Sequence, residues 1–362
     1  MRTAAIVVVA MLACVATAAV CLLAPGYYAY LFGMLATTAL AGIGLNVLLG
    51  LAGEVSLGQG GFVALGAYGL GILTTKAGLN FWEALPLAVL LVAAISAVLS
   101  IPALRVTGPY LAMVTIAFGF IVESVSIEWR DLTGGSSGLV GIPAPFGTGG
   151  TALLACGLCL VALVLFYYLA RSPIGLAMQA FASAPAAARG VGISPVPVRT
   201  AAFVLAAAAA GLAGGLQAAL TGFIAPSSFP FSQSILFLLV VVVGGAGRTL
   251  GPLIGSAVVV FLPEVLAGLA EYRLLVFGAG LLIVLWAAPG GIAGALARLV
   301  QPRKSLAEAK PDLDIALAHI TGARGSLTAE GVRVAFGGVV AVAGVDMIAS
   351  PGRITRDRKS VV

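Results

Sequence analysis

The sequence is poor in charge and in the side chains that carry most enzyme chemistry. Charged residues make up 9% of its 362 residues, whereas a soluble domain carries roughly 25%. The single histidine, His319, argues against a histidine-based metal site. No catalytic triad and no carboxylate pair is recognisable in the sequence. These absences argue against chemistry on a substrate and against a resident metal ion.

Cysteine is also scarce, and its placement argues against redox chemistry. The four cysteines, Cys14, Cys21, Cys156 and Cys159, all lie inside apolar runs. The Cys-x-x-Cys spacing at 156–159 is compatible with a redox or metal motif, but no charged or histidine partner lies nearby. We therefore interpret these residues as small side chains that pack between helices.

Apolar residues are abundant and define the fold class. They make up 61% of the chain, and the mean hydropathy is +1.14. Runs of about 20 apolar residues, enough to cross a bilayer, recur from Ala4 to Leu296 without the alternation of barrel strands. The sequence thus predicts an all-α polytopic membrane protein with about ten transmembrane helices and a short, incomplete β-rich C-terminal fragment. The predicted crossings are 5–23, 30–49, 57–75, 84–103, 109–128, 152–170, 200–221, 233–246, 250–266 and 273–289.

Charge bias orients these crossings in the membrane. An N-terminus inside the cell, with 5–23 as a retained helix, puts Arg105, Arg248 and the tail on the cytoplasmic side. The acid-bearing stretches 128–145 and 264–273 then lie outside. Both termini are predicted to be cytoplasmic. The net charge of +6 reflects these loops and the tail, and no basic patch with interleaved aromatics indicates nucleic-acid binding.

The stretch 171–199 is the longest interruption between apolar spans in the first 297 residues. It holds three arginines, four prolines and no acid. Its alanine-rich part, Ala177–Arg189, predicts one or two short helices. Because basic loops remain in the cytoplasm, we expect this stretch to dock a soluble partner there.

Polar candidates for a translocation path are few. Glu54, Ser56 and Gln59 lie in a glycine-rich cluster between two spans, where a broken backbone can expose polar groups to a small zwitterion. The alternative is an ordinary loop with Ser56 as a helix N-cap. Thr115 can return its hydroxyl to the backbone. Glu123 is the acid deepest in a span, where it either lines an aqueous path or extends from near the helix end.

The composition changes after the last apolar run. We divide the chain into a transmembrane domain (1–297), a cytoplasmic linker (298–326), a β-rich piece (327–356) and a tail (357–362) that is expected to be non-native. Strands are predicted at 332–336 and 341–348, with a turn at Gly337-Gly338. A piece of this length cannot bury a core by itself. We therefore expect it to be the truncated start of a domain.

Six stretches together resemble the permease subunits of branched-chain amino-acid ABC importers, the LivM type. They are Asn46–Phe62, Tyr110–Phe118, Leu132–Pro143, Ser172–Gly175, Gly211–Gly215 and Gly244–Pro252. The resemblance implies a bacterial inner-membrane subunit that pairs with a second, homologous permease and with two cytoplasmic ATPases. It also implies a periplasmic binding protein that delivers leucine, isoleucine or valine. ATP-Mg would be bound by the partner subunits, so no cofactor is expected in this chain.

The same resemblance assigns roles to individual residues. It makes 171–199 the coupling loop, with Pro173, Ala187, Ala188, Arg189 and Gly192 as the positions expected to couple to the ATPase. Ala187, Ala188 and Gly192 match the family pattern there, whereas Arg189 is one of the residues that replace the acidic residues usual in this loop. Residues 327–356 resemble the start of the partner ATPase, and Phe336 matches the aromatic that stacks on adenine. No G-x-x-x-x-G-K-[ST] loop follows, so ATP hydrolysis is not expected in this chain.

We thus expect a permease that moves branched-chain amino acids into the cytoplasm. Three alternatives remain open at this point: a urea or short-amide permease of the same architecture, an ion-coupled secondary transporter, and a membrane scaffold that transports nothing.

Overall fold

The computed structural model describes residues 26–103, 106, 108–265, 278, 282, 290–300, 326–336 and 339–349. The chain divides into two compact units, Met1–Val300 and Gln301–Val362. Several predictions lie outside the described residues: the crossing 5–23, the crossing 273–289 apart from residues 278 and 282, Arg105, the turn at 337–338 and the tail 357–362.

The first unit is a helical bundle. Among its described residues the helices are α1 (Gly26–Asn46, continued by a π-helical turn Val47–Leu51), α2 (Gln59–Thr75), α3 (Phe81–Ala103), α4 (Pro109–Glu128), α5 (Arg130–Thr133), α6 (Gly147–Leu169), α7 (Pro173–Ser183), α8 (Pro185–Gly190), α9 (Pro195–Thr221), α10 (Phe231–Gly244), α11 (Gly251–Val265) and α12 (Gly291–Val300). Short 3₁₀ turns occupy Gly135–Ser137 and Pro226–Ser228, and the strands β1 (Leu139–Val140) and β2 (Phe223–Ile224) pair antiparallel.

Helix α9 forms the centre of this bundle, and ten of the fourteen residues on its buried face are alanine or glycine. It packs against α1, α2 and α3. A β-carbon at Gly214 would overlap the carbonyl oxygen of Val63, and one at Gly66 would overlap the backbone of Gly211. Without side chains at these positions, the backbones of α2 and α9 approach each other closely, as small residues allow in lipid.

The outer helices carry apolar side chains on their exposed faces. Examples are Leu90 on α3, Ile121 on α4 and Leu165 on α6. Six helices in the described part of the chain are long and apolar enough to cross a membrane: Gly26–Leu51, Phe81–Ala103, Pro109–Glu128, Gly147–Leu169, Pro195–Thr221 and Pro226–Gly244. An apolar belt of this extent requires lipid around it. The predicted all-α membrane fold is confirmed, and eight predicted crossings, from 30–49 to 250–266, coincide with described helices.

The structure decides against one alternative, corrects one local prediction and agrees with another. Helix α2 begins at Gln59 with Gly58 as its N-cap, so Ser56 is not a cap. Helix α9 begins at Pro195, so Arg199 lies inside a helix and not in the loop. The predicted back-bond of Thr115 is present, since its hydroxyl donates to the Ala112 carbonyl at 2.9 Å.

The second unit contains an antiparallel hairpin of β3 (Leu327–Phe336) and β4 (Val339–Ala349). The register pairs Leu327 with Ala349 and Phe336 with Val339, with irregularities along the ladder. The strands predicted at 332–336 and 341–348 lie within these longer strands.

Candidate functional site

The backbone between α1 and α2 is broken at the glycine-rich cluster. Helix α1 ends in the π-helical turn, and the next seven residues, 52–58, are not helical. Gly53 has a φ of +68°, a conformation that glycine adopts without strain. The Glu54 amide still donates to the Leu48 carbonyl at 2.9 Å. Such π-turns are frequent at functional sites. Here the break in the backbone places Glu54 beside α9.

Glu54 forms an ion pair with Arg199, near the start of α9. Its Oε1 lies 2.8 Å from the Arg199 guanidinium nitrogen, and the Glu54 residue is only 7% exposed. Burial raises the pKa of the Glu54 carboxyl, and the Arg199 guanidinium lowers it in part. The ion pair therefore holds the turn before α2 against α9, the helix that follows residues 171–194. Arg199 was not predicted as a partner of Glu54, because the two residues are far apart in the chain.

The other polar residues of the cluster hold the first turn of α2 between neighbouring helices. Gln59 Nε2 donates to the Ala41 carbonyl of α1 at 2.9 Å and to the Ala206 carbonyl of α9 at 3.4 Å. The Leu57 amide donates to Thr115 Oγ1 at 3.0 Å, and Ser56 Oγ accepts from the Gly58 amide at 3.4 Å. Gln59, Ser56 and Thr115 are fully buried. Four of the five path candidates are thus brought together around the start of α2.

Two residues of this cluster were missed by the sequence reasoning. The Asn46 side chain bridges to the connection between α10 and α11: Oδ1 accepts from the Gly247 amide at 2.8 Å, and Nδ2 donates to the Arg248 carbonyl at 3.1 Å. Ser234 of α10 accepts from the Gly60 amide at 3.0 Å. An amide inside an apolar run was a usable signal for Asn46, since buried polar groups in membrane helices need partners.

Glu123 lies apart from this cluster. It lines a small crevice with Tyr68 of α2, Ser126 of α4 and Phe229, which follows the Pro226–Ser228 turn. Glu54, Ser56, Gln59 and Thr115 thus lie around the first turn of α2, whereas Glu123 lies near the end of α4.

The predicted docking stretch contains two short helices, α7 and α8. Ser172 caps α7 by accepting from the Gly175 amide at 3.2 Å, and Pro173 is the first helical residue. Gly175, Met178 and Phe181 form the buried face of α7. At Gly53, a β-carbon would lie 2.9 Å from the Cβ of Ala182 in α7. The docking stretch therefore rests directly on the broken turn that carries Glu54.

The remaining docking candidates differ in their exposure to solvent. Ala188 is buried, whereas Ala187, Arg189 and Gly192 are exposed. Gly192 has a φ of +84° in the turn that leads towards α9. Four apolar side chains on this stretch and the first turn of α9 are also exposed: Ile174, Leu176, Val191 and Val196.

A family model described as "Branched-chain amino acid transport system / permease component" matches residues 27–285. These residues include α1 to α11, the broken turn and the docking stretch. The chain belongs to this permease family. The match covers most of the chain and all five path candidates, and it favours a transport subunit over an enzyme.

Two curated relatives of this permease are similar over much of the chain. The high-affinity branched-chain amino acid transport system permease proteins LivM of Salmonella typhimurium (strain LT2) and Escherichia coli (strain K12) are 37% and 36% identical over 281 residues. The similarity covers 69% of this chain and 66% of each relative, just under two thirds of their length. No solved structure matches. With the apolar helices, these relatives indicate an integral inner-membrane protein.

Proposed function

We propose that this chain is the membrane-spanning permease subunit of an ABC importer that moves branched-chain amino acids into the cytoplasm. The observation that carries the proposal is the family match over residues 27–285. The geometry supports it, because an exposed two-helix stretch is joined by contacts to the buried polar cluster between the spans.

The partners follow from this assignment. We infer a second, homologous permease subunit, two cytoplasmic ATPase subunits that bind ATP-Mg, and a periplasmic substrate-binding protein. We further infer that both termini lie in the cytoplasm, with the 171–194 stretch on the same side. ATP hydrolysis is assigned to the ATPases and not to this chain.

The exposed apolar side chains of the docking stretch favour a shape-based contact with the ATPase. Ile174, Leu176, Val191 and Val196 are exposed at an end of the bundle where no lipid would cover them in this topology. The stretch carries no acid, so salt bridges from carboxylates here to the ATPase are not available. Movement of the ATPases would act on α7 and reach Glu54 through the contact between Ala182 and Gly53.

We further propose that the hairpin of β3 and β4 corresponds to the start of an ABC ATPase domain joined to the permease. The support is the resemblance at Phe336-Gly337-Gly338 and the antiparallel pairing of the two strands. In this proposal Phe336, the last residue of β3, is the adenine-stacking aromatic.

Uptake of labelled leucine by the complete complex in proteoliposomes tests the proposed function. We expect uptake that needs ATP and the binding protein and that persists when ion gradients are dissipated. Uptake that survives ATP depletion and disappears with the ion gradient would identify a secondary transporter. Uptake of urea or a short amide in place of leucine would reassign the substrate, and a lack of any substrate-dependent ATPase stimulation would favour a scaffold.

Gly192→Trp is expected to uncouple ATP hydrolysis from transport. Its φ of +84° strains any residue with a β-carbon, and the turn is exposed where the ATPase would dock. Leucine uptake should fall at least about tenfold, the effect of losing roughly 1.4 kcal/mol of coupling, while ATPase activity persists. Gly26→Trp is the control and should transport normally, because Gly26 is the first residue of α1 and no atom of the described residues lies within 4 Å of its β-carbon. Normal uptake by Gly192→Trp would remove this stretch from the coupling role.

A further inference from the structure

The crevice at Glu123 is lined by polar groups from two helices and by apolar groups from the segment after α9. Its polar lining consists of Glu123, Tyr68 and Ser126, and Val122, Pro226 and Phe229 supply apolar surface. Its volume of about 10 Å³ is enough for one water-sized group. An ammonium group is of that size.

Two polar groups in this crevice have no protein partner among the residues that the structure describes. Tyr68 is 4% exposed, and its hydroxyl makes no hydrogen bond. The Glu123 carboxylate forms neither an ion pair nor a hydrogen bond within the described residues. A buried hydroxyl without a partner costs free energy, and an acid in a membrane span marks a substrate or ion pathway. The two groups face the same small space.

We propose that this crevice binds the ammonium group of the zwitterionic amino acid during translocation, with Glu123 as the counter-charge and Tyr68 as a hydrogen-bond partner. The inference rests on the proposed importer function and extends it to a substrate subsite. The phenol oxygen accepts a hydrogen bond from the ammonium group, and the carboxylate accepts a second one. Phe229 and Val122 provide apolar surface for the branched side chain.

The position of the crevice fits an entry subsite. Pro226 and Phe229 follow the C-terminal end of α9, whereas the docking stretch precedes its N-terminal end. The two ends of this 27-residue helix are about 40 Å apart. An ATPase docked near the N-terminal end of α9 would therefore lie on the opposite side of the membrane from the crevice. The binding protein would deliver its substrate on the side of the crevice.

The crevice can widen at the contact between α2 and α4 to accommodate the rest of the amino acid. Gly61 of α2 and Gly119 of α4 both line it, and a β-carbon at Gly61 would lie 3.2 Å from the Gly119 Cα. The two glycines bring the backbones of α2 and α4 together here, and the Phe118 ring of α4 lies beside Gly61. Separation of α2 from α4 at this contact would admit the aliphatic part of the substrate.

Gly119→Cys supplies a reporter thiol for the test. Among the described residues, a β-carbon at Gly119 meets no atom within 4 Å, so the substitution leaves their packing undisturbed. The complete complex in proteoliposomes is treated with a small methanethiosulfonate reagent, and labelling is compared with that of the parent protein, which retains its own cysteines. Leucine is expected to protect the introduced thiol. Its keto acid, which lacks the ammonium group, is expected not to protect at the same concentrations.

Glu123→Gln in the reporter background is expected to raise the leucine concentration for half-protection by roughly ten- to a hundredfold, as for a lost charge-assisted hydrogen bond. Glu128→Gln is the matched control, because Glu128 is an exposed acid on the same helix and lies outside the crevice. It should leave protection unchanged.

Tyr68→Phe separates substrate binding from a structural role. It should weaken protection by roughly three- to tenfold while the thermal midpoint of the complex stays equal or rises, since no protein hydrogen bond is removed. A lower midpoint with unchanged protection would mean that the hydroxyl serves the fold, which would overturn its assignment.

The outcomes distinguish the subsite from the importer function. Leucine uptake by the complex with no protection of the thiol, equal protection by the keto acid, or full protection in Glu123→Gln would each overturn the subsite and leave the function standing. A parent complex that takes up no leucine under any energy source would overturn both.

Discussion

Arg199→Ala is expected to lower the free energy of unfolding of the permease by about 3–5 kcal/mol. The substitution leaves the Glu54 carboxylate buried without its counter-charge, in a turn that is held between α7 and α9. Loss of one partner from a buried ion pair is costly because the remaining charge has neither water nor a guanidinium group to stabilise it. Two measurements test this expectation. The thermal midpoint of the purified complex should fall, and unfolding by titration with a denaturing detergent should give the lower free energy of unfolding.

A pH dependence should accompany this loss. Burial raises the pKa of the Glu54 carboxyl, and removal of Arg199 takes away the opposing influence. A carboxyl whose folded-state pKa lies above its unfolded value binds more protons in the folded state, so stability falls as pH rises through that interval. The destabilisation of Arg199→Ala should therefore be largest at neutral pH and become smaller towards the pKa of an unfolded glutamate, about 4.3.

The double variant Glu54→Leu/Arg199→Leu provides the decisive comparison. It removes both charges together, and replacement of a buried pair by apolar residues is often neutral. We expect it to be more stable than Arg199→Ala. Arg189→Ala, an exposed arginine on α8, should change stability by no more than about 0.5 kcal/mol. If the single and double variants were equally unstable, the ion pair would not be the source of the effect.

Gly214→Ala is expected to destabilise the bundle by about 3 kcal/mol, at the upper end of the cost of overpacking. Its β-carbon would overlap the carbonyl oxygen of Val63 and lie 2.9 Å from the Ala67 amide nitrogen. These are backbone atoms of α2 and cannot rotate away, so α2 and α9 must separate. Because α2 carries Gln59 and Tyr68, both transport and the thermal midpoint should fall.

Gly157→Ala is the matched control for this substitution. Gly157 lies on the exposed face of α6, and its β-carbon would meet no atom within 4 Å. Alanine there is expected to stabilise the helix slightly, by up to about 1 kcal/mol, because glycine loses more backbone entropy on folding. Opposite signs for the two alanine variants would establish the close approach of α2 and α9. A midpoint for Gly214→Ala equal to that of the parent would contradict it.

The membrane class and most helices were accessible from the sequence because each span is a local property. Whether a segment such as 109–128 enters lipid depends on the summed transfer free energy of its own side chains. The family, too, was recognisable from short stretches such as Asn46–Phe62. The helix boundaries were less accurate. The sequence placed Arg199 in a loop, although proline at the first position of α9 allows the helix to begin before it.

The sequence by itself determined that this is a helical membrane permease with a basic, proline-punctuated connection between two spans. Only the tertiary structure decided that Glu54 faces Arg199, that Asn46 holds the 247–248 turn, and that Tyr68 and Glu123 share one crevice. Pairings of this kind depend on how closely the backbones of α2 and α9 approach each other, and the glycine and alanine residues on their facing surfaces allow that approach. That approach is a property of two surfaces together, and the hydrophobicity of either helix alone does not encode it.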